Sequence, residues 1–300
     1  MTNDTKGTSK GNSARSGEPD PAQSCDSKCD SCASRESCSD PRAGISDRMS
    51  KIKHKILIGS GKGGVGKSTV TVNLAMVLKG SGYRVGVLDA DITGPNIPKL
   101  LGIEDLRLTA GPDGVEPADA NGIKVVSMAL VLSSRDSAVV WRGPMKMAAL
   151  KQFISDVNWG DLDFLLVDLP PGTSDEPISL AQLIPDLTGA VIVTTPQEVA
   201  ILDSKKAVNM FQLMNVPILG IIENMSTLVC PHCGQMIDVF KSGGGEREAK
   251  EMGLRFLGAI PIDPEIGKLG DQGLAFVGRD TPAWKSFEKV VSALREEISG

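Results

Sequence analysis

The chain lacks an apolar run of the ~18 residues that a membrane-spanning helix needs. Its N-terminus carries no apolar signal region, so the expectation is a cytoplasmic protein that is not inserted in a membrane. A basic excess is also missing: 32 Lys and Arg face 37 Asp and Glu, a net charge of −5 with a pI near 5.2. That balance excludes nucleic-acid binding driven by bulk electrostatics. Aromatic residues make up 4% of the 300-residue chain, with a single tyrosine, Tyr83. The core must therefore be aliphatic, as in parallel sheets whose strands are buried on both faces. There is no internal repeat. No cysteine falls between Cys38 and Cys230 or after Cys233, so none sits in an expected core element.

The chain does hold an alternation of short apolar runs with helical patterns. Strands are expected at Lys55–Ile58, Val85–Leu88, Ile123–Val126, Phe164–Val167, Ala190–Val193, Ile218–Ile222 and Phe256–Ile260. Helices are expected to begin near Ser68, Pro144, Glu176, Val199, Gly245 and Pro282. The alternation predicts an α/β fold, a mostly parallel sheet with helices on both faces. Residues 1–50 are rich in Ser, Asp, Lys, Gly and Pro and nearly free of large apolar side chains. They read as a flexible segment ahead of one domain over 51–300, with no order of its own unless a metal supplies it.

Gly61-Lys62-Gly63-Gly64-Val65-Gly66-Lys67-Ser68-Thr69 follows the first strand and opens the first expected helix. In that context the run is a phosphate-binding loop. Its glycines let backbone N–H groups turn toward an anion, and the helix N-terminus adds the positive end of a dipole. Lys67 would reach the β- and γ-phosphates, and the Ser68 hydroxyl would coordinate Mg²⁺. Lys62 is an extra lysine where most such loops have none.

Three more strand ends converge on that loop, because ligands of parallel sheets bind outside the carboxyl ends of the strands. One ends in Asp89-Ala90-Asp91. There, one carboxylate can serve the magnesium shell and the other can orient water, unless Asp91 only starts the turn through Thr93-Gly94-Pro95. Asp168 closes another apolar strand ahead of Leu169-Pro170-Pro171-Gly172-Thr173, the usual position of a Mg²⁺ partner beside a phosphate loop. Glu223-Asn224-Met225 follows a third, where Asn224 either reads an adenine edge or caps a loop. The guanine-reading Asn-Lys-x-Asp is absent, which favours ATP.

The six cysteines form two groups: Cys25, Cys29, Cys32 and Cys38 near the N-terminus, and Cys230 with Cys233 in a late loop. Paired Cys-x-x-Cys spacing in a cytosolic chain points to metal rather than disulfides. Cys230-Pro231-His232-Cys233-Gly234 suits a zinc knuckle and an iron–sulfur site equally by spacing alone. Two thiolates make half a site, and two-fold symmetry is the simplest way to complete it. His232 reads as a spacer and His54 as a surface residue ahead of the first strand.

Together, Gly61–Thr69, Asp89–Pro95, Asp168–Thr173, Glu223–Met225 and Cys230–Gly234 resemble the Mrp/ApbC iron–sulfur carriers. These are a branch of the deviant Walker A P-loop ATPases that includes MinD, ParA and the nitrogenase iron protein. The resemblance covers Ile56 to the C-terminal helix. It implies a homodimer in which Lys62 reaches the partner's nucleotide, Asp91 positions the hydrolytic water and the switch loop begins at Asp168. It also implies that Cys230 and Cys233 of two subunits hold one 4Fe–4S cluster at the dimer interface. Cys29, Cys32 and Cys38 resemble the N-terminal cluster motif of the eukaryotic cytosolic scaffold ATPases, with Cys25 closer than that motif places its first cysteine.

The expected function is thus a slow ATPase that uses ATP and Mg²⁺ to load a 4Fe–4S cluster and pass it to apo-proteins. It would act as a homodimer or with a related ATPase, without nucleic acid or membrane. Three alternatives stand beside it: a MinD- or ParA-like positioning ATPase, a zinc-binding ATPase, and an electron donor. The positioning alternative would use the last helix, whose Trp284, Phe287, Val290, Val291, Leu294 and Ile298 share one face. The mixed charge of its polar side favours packing against the core instead.

Overall fold

The computed structural model describes residues 41–132, 141–230, 232–274, 276, 278 and 280–299. Eleven strands and nine helices follow one another among them. The strands are β1 (Ile52–Gly59), β2 (Val85–Asp89), β3 (Thr109–Gly111), β4 (Gly114–Glu116), β5 (Ala118–Ala120), β6 (Ile123–Ser127), β7 (Leu162–Asp168), β8 (Gly189–Thr194), β9 (Ile218–Val229), β10 (Met236–Ile237) and β11 (Phe256–Ile262). The helices are α1 (Pro41–Ser50), α2 (Lys67–Gly80), α3 (Ile97–Leu100), α4 (Gly143–Ser155), α5 (Asp175–Leu183), α6 (Glu198–Leu213), α7 (Gly244–Glu251), α8 (Pro264–Asp271) and α9 (Pro282–Ser299). Every strand and helix start expected from the sequence is present.

Nine strands form one sheet in the order β10-β9-β8-β1-β7-β2-β6-β5, with β11 also paired to β9. All pairings inside it are parallel except β5 with β6 and β10 with β9. Adjacent strand residues point to opposite faces. Ile56 and Ile58 therefore enter the core beneath α2 and α9, while Leu57 enters the core beneath α4 and α6. Helix α9 buries Trp284, Phe287, Val290, Val291 and Leu294, so its apolar face is core rather than a membrane anchor. Among the described residues no helix is long and apolar enough to cross a membrane.

The register aligns chemistry at one end of the sheet. Strand β7 lies between β1 and β2, pairing Ile58 with Asp168 and Asp89 with Asp168. Both aspartates thus stand next to the loop that leaves β1.

Three expectations are corrected. The unstructured segment does not extend to residue 50: α1 belongs to the compact unit Asp40–Gly300. Ile45 and Met49, one helical turn apart, are buried in the core, and Arg48 Nη1 donates to the Val157 carbonyl at 3.2 Å. The buried Lys55 ammonium donates to the carbonyls of Met49 and Ile52 at 3.3 Å each, closing the helix end. Burial pushes the Lys55 pKa down. Next, His54 lies inside β1, half-buried with its ring 5.0 Å from that of Phe164. Finally, β9 does not stop at Ile222 but continues to Val229, which puts Asn224 on a strand rather than in a loop.

Candidate functional site

Gly66 adopts φ +80° as it opens α2, a left-handed conformation that glycine takes without strain. A Cβ there would stand 2.3 Å from Asn224 Nδ2, and one on Gly61 would stand 2.0 Å from the Asp203 carbonyl carbon. The loop is therefore glycine-rich for packing as well as for phosphate. It sits between the start of α6 and the side chain of Asn224.

Lys67 and Asp168 are buried and paired, Nζ to Oδ2 at 2.7 Å. Asp168 also accepts from the Ser68 hydroxyl at 2.6 Å and the Thr71 hydroxyl at 2.7 Å. The two side chains expected to meet phosphate and Mg²⁺ thus already converge on the acid at the end of β7. Asp89 is buried as well, accepting from Ser127 Oγ at 3.0 Å and from the amides of Ile97 and Asp91, each at 3.3 Å. Burial, and next the neighbouring Asp168 carboxylate, push its pKa up to about 8. Two carboxylates and a serine hydroxyl form an all-oxygen donor set, the kind Mg²⁺ takes.

Of these groups Lys67 and Ser68 line a cleft of about 390 Å³ between the loop from Lys62 to Thr69 and the opposite wall of Asp91, Asn96, Lys99 and Asp271, with the two buried carboxylates behind them. Lys62 is half-buried there, and its ammonium has no ion-pair partner among the described residues. Asp91 both lines the cleft and starts the turn, accepting from Thr93 Oγ1 at 2.9 Å and Gly94 N–H at 3.1 Å. Asn224 is buried and donates through Nδ2 to the Val65 carbonyl at 2.9 Å, so it holds the loop in place.

Cys230 and Cys233 sit at the tip of the hairpin between β9 and β10. Cys230 N–H donates to the Gln235 carbonyl, and Gly234 N–H donates back to the Cys230 carbonyl, each at 2.9 Å. The Cys230 thiol is held below its ordinary pKa by the amides of Cys233 and His232 and by the Cys233 thiol beside it. That bias toward thiolate suits a metal ligand. Cys233 is exposed, as are His232 and the apolar Met236, Ile237 and Val239. Among the described residues no three His, Cys, Asp or Glu side chains are gathered to hold a metal. Two thiols are half the number that a four-thiolate site takes. Cys25, Cys29, Cys32 and Cys38 lie outside the described residues.

A family model described as ParA, NUBPL iron-transfer P-loop NTPase, matches residues 51–295. The chain belongs to that family. The iron-sulfur cluster carrier protein of Methanocaldococcus jannaschii is 52% identical over 284 residues, 92% of this chain and 98% of that one. The cytosolic Fe-S cluster assembly factor CFD1 of Saccharomyces cerevisiae is 44% identical, over 83% of this chain and 89% of its own. Among solved structures, a nucleotide-binding protein from Archaeoglobus fulgidus in complex with ADP matches with a TM-score of 0.72 and 39% identity, covering 82% of this chain and 96% of that one.

Thr71 and Ser127 escaped the sequence reading although both were within reach of it, and Asn96, Lys99 and Asp271 of the facing wall escaped it as well. Thr71 lies four residues after Lys67 and so on the same face of α2. Ser127 ends β6 in register with Asp89, and aligning the strand ends would have placed it there.

Proposed function

We propose that this protein is an ATP-binding and ATP-hydrolysing carrier that holds a 4Fe–4S cluster as cargo and passes it to apo-proteins. The observation that carries the reading is the half-built thiol pair in the hairpin that β9 leads into, β9 being the strand whose Asn224 grips the phosphate loop at Val65. Nucleotide and cargo would thus be served by a single strand.

In this reading the N–H groups of Gly61 to Thr69 cradle the phosphates, Lys67 neutralises the β- and γ-phosphates, and Asn224 faces the adenine. Mg²⁺ would be held by Ser68, Asp89 and Asp168, and it supplies charge neutralisation at the transferring phosphoryl group. Asp91 orients the attacking water from the facing wall. Lys62, without an ion-pair partner among the described residues, reaches the nucleotide of a second copy. Hydrolysis is slow because the positioning groups come together only when two copies close. Cys230 and Cys233 of each copy then complete a four-thiolate site. Cys25, Cys29, Cys32 and Cys38 would hold a second cluster. The protein would work in the cytoplasm, as a homodimer or with a related ATPase, away from membrane and nucleic acid.

Anaerobic reconstitution with iron and sulfide tests this. Wild type should bind both clusters, and C230A/C233A should lose one cluster per dimer while keeping the absorbance of the N-terminal site. Tightly held zinc that excludes iron, or iron binding unaffected by the double substitution, would overturn it.

A further inference from the structure

Glu223 and Asn224 are neighbours on β9, and their side chains leave opposite faces of the sheet. Ile221 and Ile222 just before them show the same split, one packed in each core. Asn224 reaches the phosphate loop. Glu223, only 1% exposed, reaches the start of α7: its Oε1 accepts from Gly243 N–H at 3.1 Å and its Oε2 from Gly245 N–H at 2.6 Å. A carboxylate there also meets the positive end of the helix dipole. The backbone at this turn has little room for side chains, and Gly245 packs on Glu223 itself. Gly243 has φ +78°, a Cβ on Gly244 would stand 2.4 Å from Ile201 Cδ1, and one on Gly245 would stand 3.1 Å from Glu223 Cβ.

The contact closes a chain excursion. Glu223 and Gly243 are 20 residues apart in sequence, and everything between them, including Cys230 and Cys233, departs from and returns to this one carboxylate. Helix α7 is tied to the phosphate loop a second time through α6. Gly61 packs on the Asp203 backbone, and the next residue, Ser204, bonds the buried Glu248 of α7 at 2.7 Å. Lys205 adds an ion pair to Glu251 at 2.6 Å. Each end of the cysteine hairpin is therefore anchored to an element that touches the loop: β9 through Asn224, and α7 through Glu223 and α6.

We propose that Glu223 is a positioning residue that transmits nucleotide occupancy from the phosphate loop to the Cys230/Cys233 hairpin by clamping the N-terminus of α7. It does not line the cleft beside the phosphate loop. When phosphate and Mg²⁺ draw Lys67 and Ser68 away from Asp168, the loop backbone shifts against Asn224 and Asp203. The clamp makes the return limb of the hairpin follow. A shared element biased by both sites is what coupling requires. This inference rests on the assignment of the hairpin as the cargo site.

Its test is peptide-resolved alkylation of Cys233 in the full-length, metal-free protein, with and without a non-hydrolysable ATP analogue and Mg²⁺. Wild type should show a rate changed about fivefold or more by nucleotide. In E223Q, where an amide replaces one of the two acceptors, the nucleotide effect should fall below about twofold while affinity for the analogue stays within about threefold. G245A, which forces the same contact from the helix side and leaves the carboxylate in place, should decouple likewise and carries the test if E223Q does not fold. A nucleotide effect preserved in both variants overturns the proposal. So does its absence in wild type, or a loss of nucleotide affinity parallel to the loss of the effect. Reconstitution of the same wild-type sample separates the two readings: failure to take up iron and sulfide with alkylation still under nucleotide control sinks the cargo assignment and leaves the clamp standing.

Discussion

Lys67 Nζ stands 2.7 Å from Asp168 Oδ2 with the two side chains 7% and 0% exposed, and Ser68 Oγ stands 2.6 Å from the same oxygen. Asp168 thus occupies the cation and the hydroxyl that a nucleotide needs. Mg²⁺ can take over Ser68 and neutralise Asp168, whereas a nucleotide without metal must pull Lys67 away against an uncompensated buried carboxylate. D168N removes that charge. Its affinity for ATP in EDTA should rise about tenfold, and the gain that wild type obtains from Mg²⁺ should vanish. Titration with a fluorescent ATP analogue, with and without Mg²⁺, checks both. Equal affinities in EDTA would refute the pairing as a brake on binding.

Gly64 and Gly66 have nearly the same backbone, φ +81° and +80°, but different surroundings. A Cβ on Gly64 meets nothing within 4 Å, while one on Gly66 meets Asn224 Nδ2 at 2.3 Å. G64A should cost only the left-handed strain of about 1 kcal/mol. G66A adds the displacement of Asn224 from the Val65 carbonyl and should cost about 2–4 kcal/mol. Thermal denaturation of the nucleotide-free variants, compared with wild type, measures the difference.

Glu248 is 1% exposed, and burial pushes its pKa up to about 7. Its neutral form suits the geometry. Ser204 Oγ lies 2.9 Å from the Ile201 carbonyl and within 2.8 Å of both Glu248 oxygens, so a protonated Glu248 can donate to Ser204 while Ser204 donates to Ile201. A carboxyl raised in the folded state contributes stability that is complete below its unfolded pKa of about 4.5 and lost as pH climbs through 7. The loss across that window amounts to about 3 kcal/mol. E248Q keeps a neutral donor at every pH. Denaturant melts at pH 5 and pH 8 should show wild type weakening with pH more than E248Q does.

Helix α1 sets where the N-terminal segment can be cut. Removing residues 1–40 leaves Ile45, Met49 and the Lys55 contacts in place and should leave the melting temperature within about 2 °C of wild type. Removing 1–50 uncovers the core around Ile45 and Met49 and strips Lys55 of the Met49 carbonyl, at about 3–5 kcal/mol. Calorimetry of the two truncations distinguishes them.

The buried parallel strands were legible because continuous apolar runs such as Ile56–Ile58 and Phe164–Val167 have few alternatives. Loop and acid positions followed from the strand ends. Helix α1 was not legible: its ten residues carry two large apolar side chains that become core only against α4 and β1, and nothing in local composition announces that. Strands β3, β4 and β5 have three residues each and no apolar run. Asn224 was expected at the end of its strand beside the loop, but its bond to Val65 spans 159 residues and arises only from the register of β9. The clamp by Glu223 is hidden for the same reason, since its partners are backbone amides of glycines.

The central claim is that two copies share one sulfur-ligated cluster held by Cys230 and Cys233. Native mass spectrometry of anaerobically reconstituted protein in Mg·ATP measures it directly. The account predicts a dimer that carries one 4Fe–4S cluster in addition to those of the N-terminal cysteines, and that loses this one cluster in C230A/C233A. A monomer in Mg·ATP carrying a single zinc ion would contradict it.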